Sequence, residues 1–361
     1  MTSWNSRMAS RRGVMLLMAA VLGFQAVTMS ACAAPAPGNW TDYKARFVQS
    51  DGRVVDTGNG DVSHSEGQGF AMIMATAYDD QATFKKMWTW TDKTLSRPDT
   101  RLFKWRYIPT GDLRTPDPNN ALDGDLLIAW ALLRGGERWK RPEYLEASAQ
   151  IRSAILSKLL VRQGDRTLLV PGMDGFVNAH GMIFNPSYAV MPALDAFAAR
   201  EPKSPWPMVR DQALKAIRDA RFGATDLPVD WVKVDPAGAM WTDPDRPPRF
   251  GFEAIRVPLY MCWSGRCGDP ALQSVKRWWS SFRAAGKPAP AWIDVRTGEV
   301  APFAASVGAA SVADLALTGK ASTAAVQNED YYSSSLLILS QIAADERREK
   351  GKPSPASQPK R

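Results

Sequence analysis

A chain of 361 residues with 45% hydrophobic and 23% charged side chains has the make-up of a globular protein with a sizeable core, which excludes bulk disorder. The formal net charge of +8 is carried in part by Arg7, Arg11 and Arg12 and by the stretch after Arg347. No basic run is interleaved with aromatics, so nucleic acid is excluded as a partner. His64 and His180 are the only histidines, too few for a zinc site of the usual ligand mix. There is no P-loop, Gly-x-Gly-x-x-Gly or Gly-x-Ser-x-Gly segment, and neither metal nor cofactor is expected. Carboxylates are the chemistry that remains. Fourteen tryptophans, all but Trp4 beyond the leader described next, are expected mostly in the core. Their excess also points mildly to sugars, whose apolar faces stack on flat rings.

Arg11-Arg12, an apolar run from Val14 to about Val27 and the small residues Ala31–Ala34 form the three-part pattern of a secretory signal over residues 1–33, cut after Ala33. Ser10-Arg11-Arg12 is compatible with twin-arginine export. Cys32 offers a lipoprotein alternative that Met29 disfavours, so a periplasmic or secreted protein is expected. No later stretch reaches about 18 uninterrupted apolar residues, so no integral membrane segment is expected after the leader is removed.

A short Pro-rich linker follows, then helices over Trp40–Val48, from Ser65 through Tyr78, and from Asp80 through Leu95. Arg101–Ile108 reads as extended and Thr115–Asn120 as a loop. Helices are expected again at Ala121–Arg134, Pro142–Leu160, Pro186–Arg200, Met208–Ala220, Glu253–Trp263, Leu272–Ala285, Ala309–Leu317 and Tyr332–Arg348, with short strands at Thr167–Val170 and Trp292–Val295. Helix following helix through irregular loops is the pattern of a mainly α domain over residues 34–348. The composition of residues 349–361 reads as a disordered tail. Cys262 and Cys267, the cysteines left after the leader, either close a small loop or stay free thiols.

Three stretches concentrate acids at helix starts. In Ser65-Glu66-Gly67-Gln68-Gly69, the Ser65/Gln68 spacing predicts a capping box and puts Glu66 in the first turn. Gly67 and Gly69, each costing about 1 kcal/mol in a helix, are read as open space beside the carboxylate for a bulky ligand. Asp123-Gly124-Asp125 opens the next such helix, where one acid faces the opening and the other a neighbouring chain. Glu253 and Arg256 are three apart, side by side on a helix. Taken singly, each is also explained as a dipole-compensating acid or a surface ion pair.

Together these stretches resemble glycoside hydrolase family 8. The Glu66 segment resembles the general-acid motif. Ala121–Trp139 resembles the signature Ala-[Ser/Thr]-Asp-[Ala/Gly]-Asp with its apolar helix and closing aromatic, departing at Leu122 and Gly135. Asn185-Pro186-Ser187-Tyr188 and Tyr331-Tyr332-Ser333 match further segments. The resemblance runs in order from about Trp40 to Ile342. It implies an (α/α)6 barrel with long loops and a few short strands, and inversion by two carboxyls roughly 6.5–9.5 Å apart.

On that basis Glu66 is expected to be the general acid, its proton held against the helix end by burial and by the charge of Asp123. Asp123 is expected to bind the distorted sugar, the family view of it as nucleophile being an alternative. Glu253 is the candidate base, in a position where many cellulase-type members carry aspartate. Trp105, Tyr188, Arg256, Tyr331 and Tyr332 are candidate cleft residues, whereas Trp130 is assigned to the core. In length and leader the chain resembles those members that accompany bacterial cellulose synthase, which implies a β-glucan substrate and a cellulose synthase complex as partner. The same barrel acting on chitosan or xylan is one alternative, and a non-hydrolytic glucan-binding component of a secretion complex is another.

Overall fold

The computed structural model describes residues 38–350. The expected leader over 1–33 and the expected tail beyond residue 350 lie outside the described residues.

Eleven helices are present among the described residues: α1 (Gly38–Phe47), α2 (Ser65–Ala77), α3 (Gln81–Thr94), α4 (Leu122–Trp139), α5 (Pro142–Leu159), α6 (Met191–Arg200), α7 (Trp206–Asp219), α8 (Arg256–Trp263), α9 (Gln273–Ala284), α10 (Val307–Thr318) and α11 (Tyr331–Lys350). They divide by pattern. α2, α4 and α8 are buried over nearly their whole length and α11 over residues 331–344, as largely apolar helix segments must be. α3 and α9 bury only one stripe, Phe84, Met87 and Thr91 in one and Ser274, Val275 and Trp279 in the other. The result is an (α/α)6 arrangement: α2, α4, α6, α8, α10 and α11 form an inner ring, and α1, α3, α5, α7 and α9 pack outside it.

Inner neighbours run parallel and close together, and glycine permits the approach. A Cβ on Gly69 would lie 2.5 Å from Leu127 Cβ, and one on Gly124 2.7 Å from Ser65 Cβ. Gly67 faces the Tyr331 hydroxyl, 2.2 Å from where its Cβ would sit. These glycines therefore serve helix contact and leave no open space for a ligand, which corrects the reading made from the sequence. The capping box also fails to form. Ser65 is the first helical residue, and His64, in the cap position, makes no side-chain cap bond. Gln68 instead turns inward, accepting from Val54 N at 2.6 Å and donating to Thr91 Oγ1 at 2.8 Å. Asp80 does cap α3, accepting from Thr83 N at 3.1 Å.

The strands are short: β1 (Ser63–His64), β2 (Arg106–Tyr107), β3 (Leu160–Gln163), β4 (Arg166–Leu169), β5 (Val177–Asn178), β6 (Gly181–Phe184), β7 (Val232–Val234), β8 (Met240–Thr242), β9 (Arg249–Phe250) and β10 (Ile293–Asp294). β1 pairs with β2, β3 with β4, and β9 with β10, all antiparallel. β5-β6-β7-β8 form a four-stranded antiparallel sheet, where the sequence pattern predicts loop. Two helix boundaries also move. Pro186–Tyr188 is a 3-10 turn separate from α6, and Glu253 precedes α8 on the turn over 251–255. Cys262 and Cys267 are disulfide-bonded, closing the loop at the end of α8. Among the described residues no helix is long and apolar enough to cross a membrane.

Candidate active site

The N-terminal ends of α2, α4 and α8 meet at one place, and Arg256 is the hub. Its guanidinium is buried, with 2% of the side chain exposed. Nη1 contacts Glu66 Oε1 and donates to Asp123 Oδ2 at 2.9 Å. Nη2 contacts Glu253 Oε2 and donates to Ser187 Oγ at 3.1 Å. Three carboxyls from distant parts of the chain are thus gathered on the two terminal nitrogens of one planar fork, a geometry that guanidinium supplies and ammonium does not.

The three differ in access to water. Asp123 is sealed, its side chain 3% exposed, with Oδ1 taken by the Gly124 amide at 2.8 Å and Oδ2 by Arg256. Glu66 and Glu253 keep 21% and 31% of their side chains exposed. Asp125 faces away, accepting from Phe103 N at 2.9 Å and Asn120 Nδ2 at 2.7 Å. It ties the start of α4 to the preceding loop, as expected of one of the two acids, whereas Asp123 turns to Arg256 and is sealed from the opening.

Glu253 is held from several sides. Asn185 Nδ2 donates to its Oε2 at 3.2 Å, and the Ser187 hydroxyl donates to Asn185 Oδ1 at 2.7 Å. From below, Asp230 Oδ1 accepts three backbone amides of the Glu253 turn: Gly251 at 3.2 Å, Glu253 at 3.2 Å and Ala254 at 2.7 Å. One carboxylate oxygen therefore shapes the turn that presents Glu253.

Three carboxyls around one guanidinium leave an excess of negative charge in a poorly solvated space, which favours retention of protons. Burial pushes Asp123 up to about 7. Burial, then the charges of Asp123 and Asp230, push Glu253 up to about 8. Asp230 is raised to about 6 by burial, its three amide bonds pulling the other way. The charge of Asp123 thus bears on Glu253 and, on its other side, on Asp125.

Aromatic rings flank the hub. Ser65 N donates to Trp105 O at 3.0 Å, placing Trp105 beside the start of α2. Its half-buried ring stacks on His64 at 6.0 Å and donates from Nε1 to Asp117 Oδ2 at 2.7 Å. On the other side, the Tyr188 ring lies 5.7 Å from the Arg256 guanidinium and packs edge-on against Trp231 at 5.7 Å. Trp231 in turn stacks on Phe176 at 6.1 Å. The Tyr332 hydroxyl donates to Phe252 O at 2.5 Å, so this tyrosine belongs to the Glu253 side. Tyr331 does not line the groove. It is buried against Tyr43 and Phe47 with its hydroxyl toward Gly67, which corrects its placement among the cleft residues. Trp130 lies in the core against Trp263, as expected.

Asp230, Trp231 and Phe176 were missed from the sequence. The signal available was the alternation of Trp231 and Lys233 with Val232 and Val234, a strand pattern among helices.

Comparison with known proteins gives the family and the fold. The family described as Glycosyl hydrolases family 8 matches residues 9–346. A probable endoglucanase of Novacetimonas hansenii is 39% identical over 92% of this chain and 99% of its own length. An endoglucanase of Cellulomonas uda is 42% identical over 77% of each chain. The solved structure of endo-beta-1,4-glucanase CMCax from Acetobacter xylinum superimposes with a TM-score of 0.80 at 38% identity, covering 85% of this chain and 98% of that one. With a family match over most of its length and three acids at one end of an inner helix ring, this chain belongs to glycosyl hydrolase family 8 and is a glycoside hydrolase.

Proposed function

We propose that this hydrolase cuts β-1,4-glucosidic bonds within a cellulose-type glucan chain, with inversion at the anomeric carbon. The observation that carries the mechanism is that Glu66 and Glu253, both open to water, sit on different nitrogens of Arg256 while Asp123 is sealed behind them. The relatives named above, described as a probable endoglucanase, an endoglucanase and an endo-beta-1,4-glucanase, support the substrate class.

In this reading Glu66 gives its proton to the glycosidic oxygen as the bond to the anomeric carbon breaks. Glu253 takes a proton from the water that attacks that carbon from the opposite face. Arg256 Nη1 already touches Glu66 Oε1, so the charge that grows on Glu66 as its proton leaves meets a preorganised cation. Asp123, sealed behind the hub, fixes Arg256 and raises the proton affinity of Glu253, in place of the direct sugar contact expected from the resemblance. Its two engaged oxygens argue against its acting as a nucleophile. Trp105 and Tyr188 supply flat surfaces for sugar rings on the two sides of the hub. Export by the leader, and work beside a cellulose-synthesising complex, complete the proposal.

Reducing-end release from carboxymethylcellulose tests it, with Glu66→Gln and Glu253→Gln alongside. Both variants should retain the native helical circular dichroism and lose activity by about 10²–10⁴-fold, the usual worth of a general acid or base. Wild-type protein that is inactive on this polymer but cleaves chitosan or xylan would overturn the substrate. Full activity in either variant would overturn its assigned role.

A further inference from the structure

The outer face of the β5–β8 sheet carries a line of side chains that the catalytic groove does not use up. Val232 and Val234 point into the core, so Trp231 and Lys233 point out. Lys233 stands opposite Ile183 on one side and Trp241 on the other. The face therefore leads from Tyr188 and Trp231, beside Arg256, across Lys233 to Trp241 at the far edge.

Trp241 is 60% exposed, among the most exposed large apolar side chains of the described residues. It is tethered at its ring nitrogen. Its Nε1 donates to Asp235 Oδ2 at 3.3 Å, and Asp235 Oδ1 is itself bonded to the amides of Ala237 and Ala239, both at 2.9 Å. The ring borders an open depression of about 420 Å³ lined by His180, Lys233 and Asp235. An exposed flat ring with donors and acceptors beside it suits a sugar, which offers an apolar face and a rim of hydroxyls. Strand pairing with another chain suits it less. β8 is three residues long and runs into Pro244, and a short edge with a nearby proline is poor for pairing.

We propose that Trp241, with Lys233 and Asp235, is a distal binding site for the stretch of β-glucan chain that continues out of the groove past Trp231. The site would hold the polymer without taking part in bond cleavage. It rests on the glucan reading above and extends it to a surface outside the catalytic cluster.

The test compares full-length wild type with Trp241→Ala and Trp241→Phe. Adsorption to phosphoric-acid-swollen cellulose and hydrolysis of soluble cellopentaose are both measured. Trp241→Ala should lower partition onto the polymer about five-fold, the order expected for one lost stacking contact, with cellopentaose hydrolysis unchanged. Trp241→Phe, which keeps a ring, should recover most of the partition. Unchanged partition in Trp241→Ala overturns the site, as does a loss of cellopentaose hydrolysis equal to the loss of partition. A wild-type dimer that Trp241→Ala converts to monomer in sedimentation velocity also overturns it, because the face would then pair two copies. Wild type that does not hydrolyse cellopentaose while Trp241→Ala still lowers partition onto the polymer would sink the proposed β-1,4-glucan cleavage and leave the distal site standing.

Discussion

Asp123 and Arg256 lie 133 positions apart in the chain and are joined by a 2.9 Å bond with both side chains sealed from water. That bond fixes α4 to α8, and the remaining reach of the guanidinium decides where Glu66 and Glu253 stand. A buried charge pair of this kind is not obviously a net gain in stability, since desolvation offsets most of the attraction. Its use is positional: it makes one cation the common reference for three carboxyls.

A pH dependence follows from the shared cation. Asp123 and Glu253 keep protons in the folded protein up to about 7 and about 8, against ordinary values of 3.8 and 4.5. The folded state therefore binds more protons than the unfolded chain between those limits. The pair's contribution to stability is complete below about pH 4 and is lost as pH rises through 8. For catalysis, kcat/KM on a soluble glucan reports the free enzyme's groups, so its acidic limb should lie well above 4.5. Asp123→Asn removes one of the charges that raise Glu253. The normalised limb should then shift to lower pH, even as activity falls. A limb that stays in place would show that Glu253 is not the group titrating there.

Asp230 gives a second expectation. Its Oδ1 alone accepts the amides of Gly251, Glu253 and Ala254. Asp230→Ala strands three donors and should cost about 1–3 kcal/mol of stability. It should also displace the Glu253 carboxyl, lowering kcat by about a hundredfold, as a misplacement near 1 Å does, with KM little changed. Asp230→Asn keeps a carbonyl oxygen at the same place and should restore most of kcat. Equal loss of kcat in both variants, or a change confined to KM, would contradict a positioning role.

How much of this was legible in the sequence depends on the range of the interactions. α2, α4 and α11 were readable as helices because apolar residues recur along them at helical spacing, but their place in an inner layer was implied only by the family resemblance. The Glu253–Arg256 pair was readable from its spacing of three. That Arg256 also reaches Glu66 and Asp123 is a tertiary fact with no local signature. Gly67 and Gly69 were misread because a glycine leaving room for a ligand and one leaving room for Leu127 or Tyr331 look alike in one dimension. Tyr331 was misplaced for a related reason, since adjacent residues on a helix point in different directions and only Tyr332 turns toward Glu253. The β5–β8 sheet escaped because its strands are two to four residues long, and β6 finds its partner β7 some fifty positions later. Asp230 and Trp231 went unnoticed with it.

The stereochemistry of cleavage bears most directly on the central claim, that Glu66 and Glu253 act from opposite faces of one sugar ring with Asp123 held out of reach. Proton NMR of a soluble cello-oligosaccharide, followed from the first turnovers and before mutarotation, reads it out. The α-anomer should appear first at the new reducing end, with the β-anomer growing in later. A β-anomer formed first would mean that a carboxylate attacks the sugar directly, and the division of labour around Arg256 would have to be abandoned.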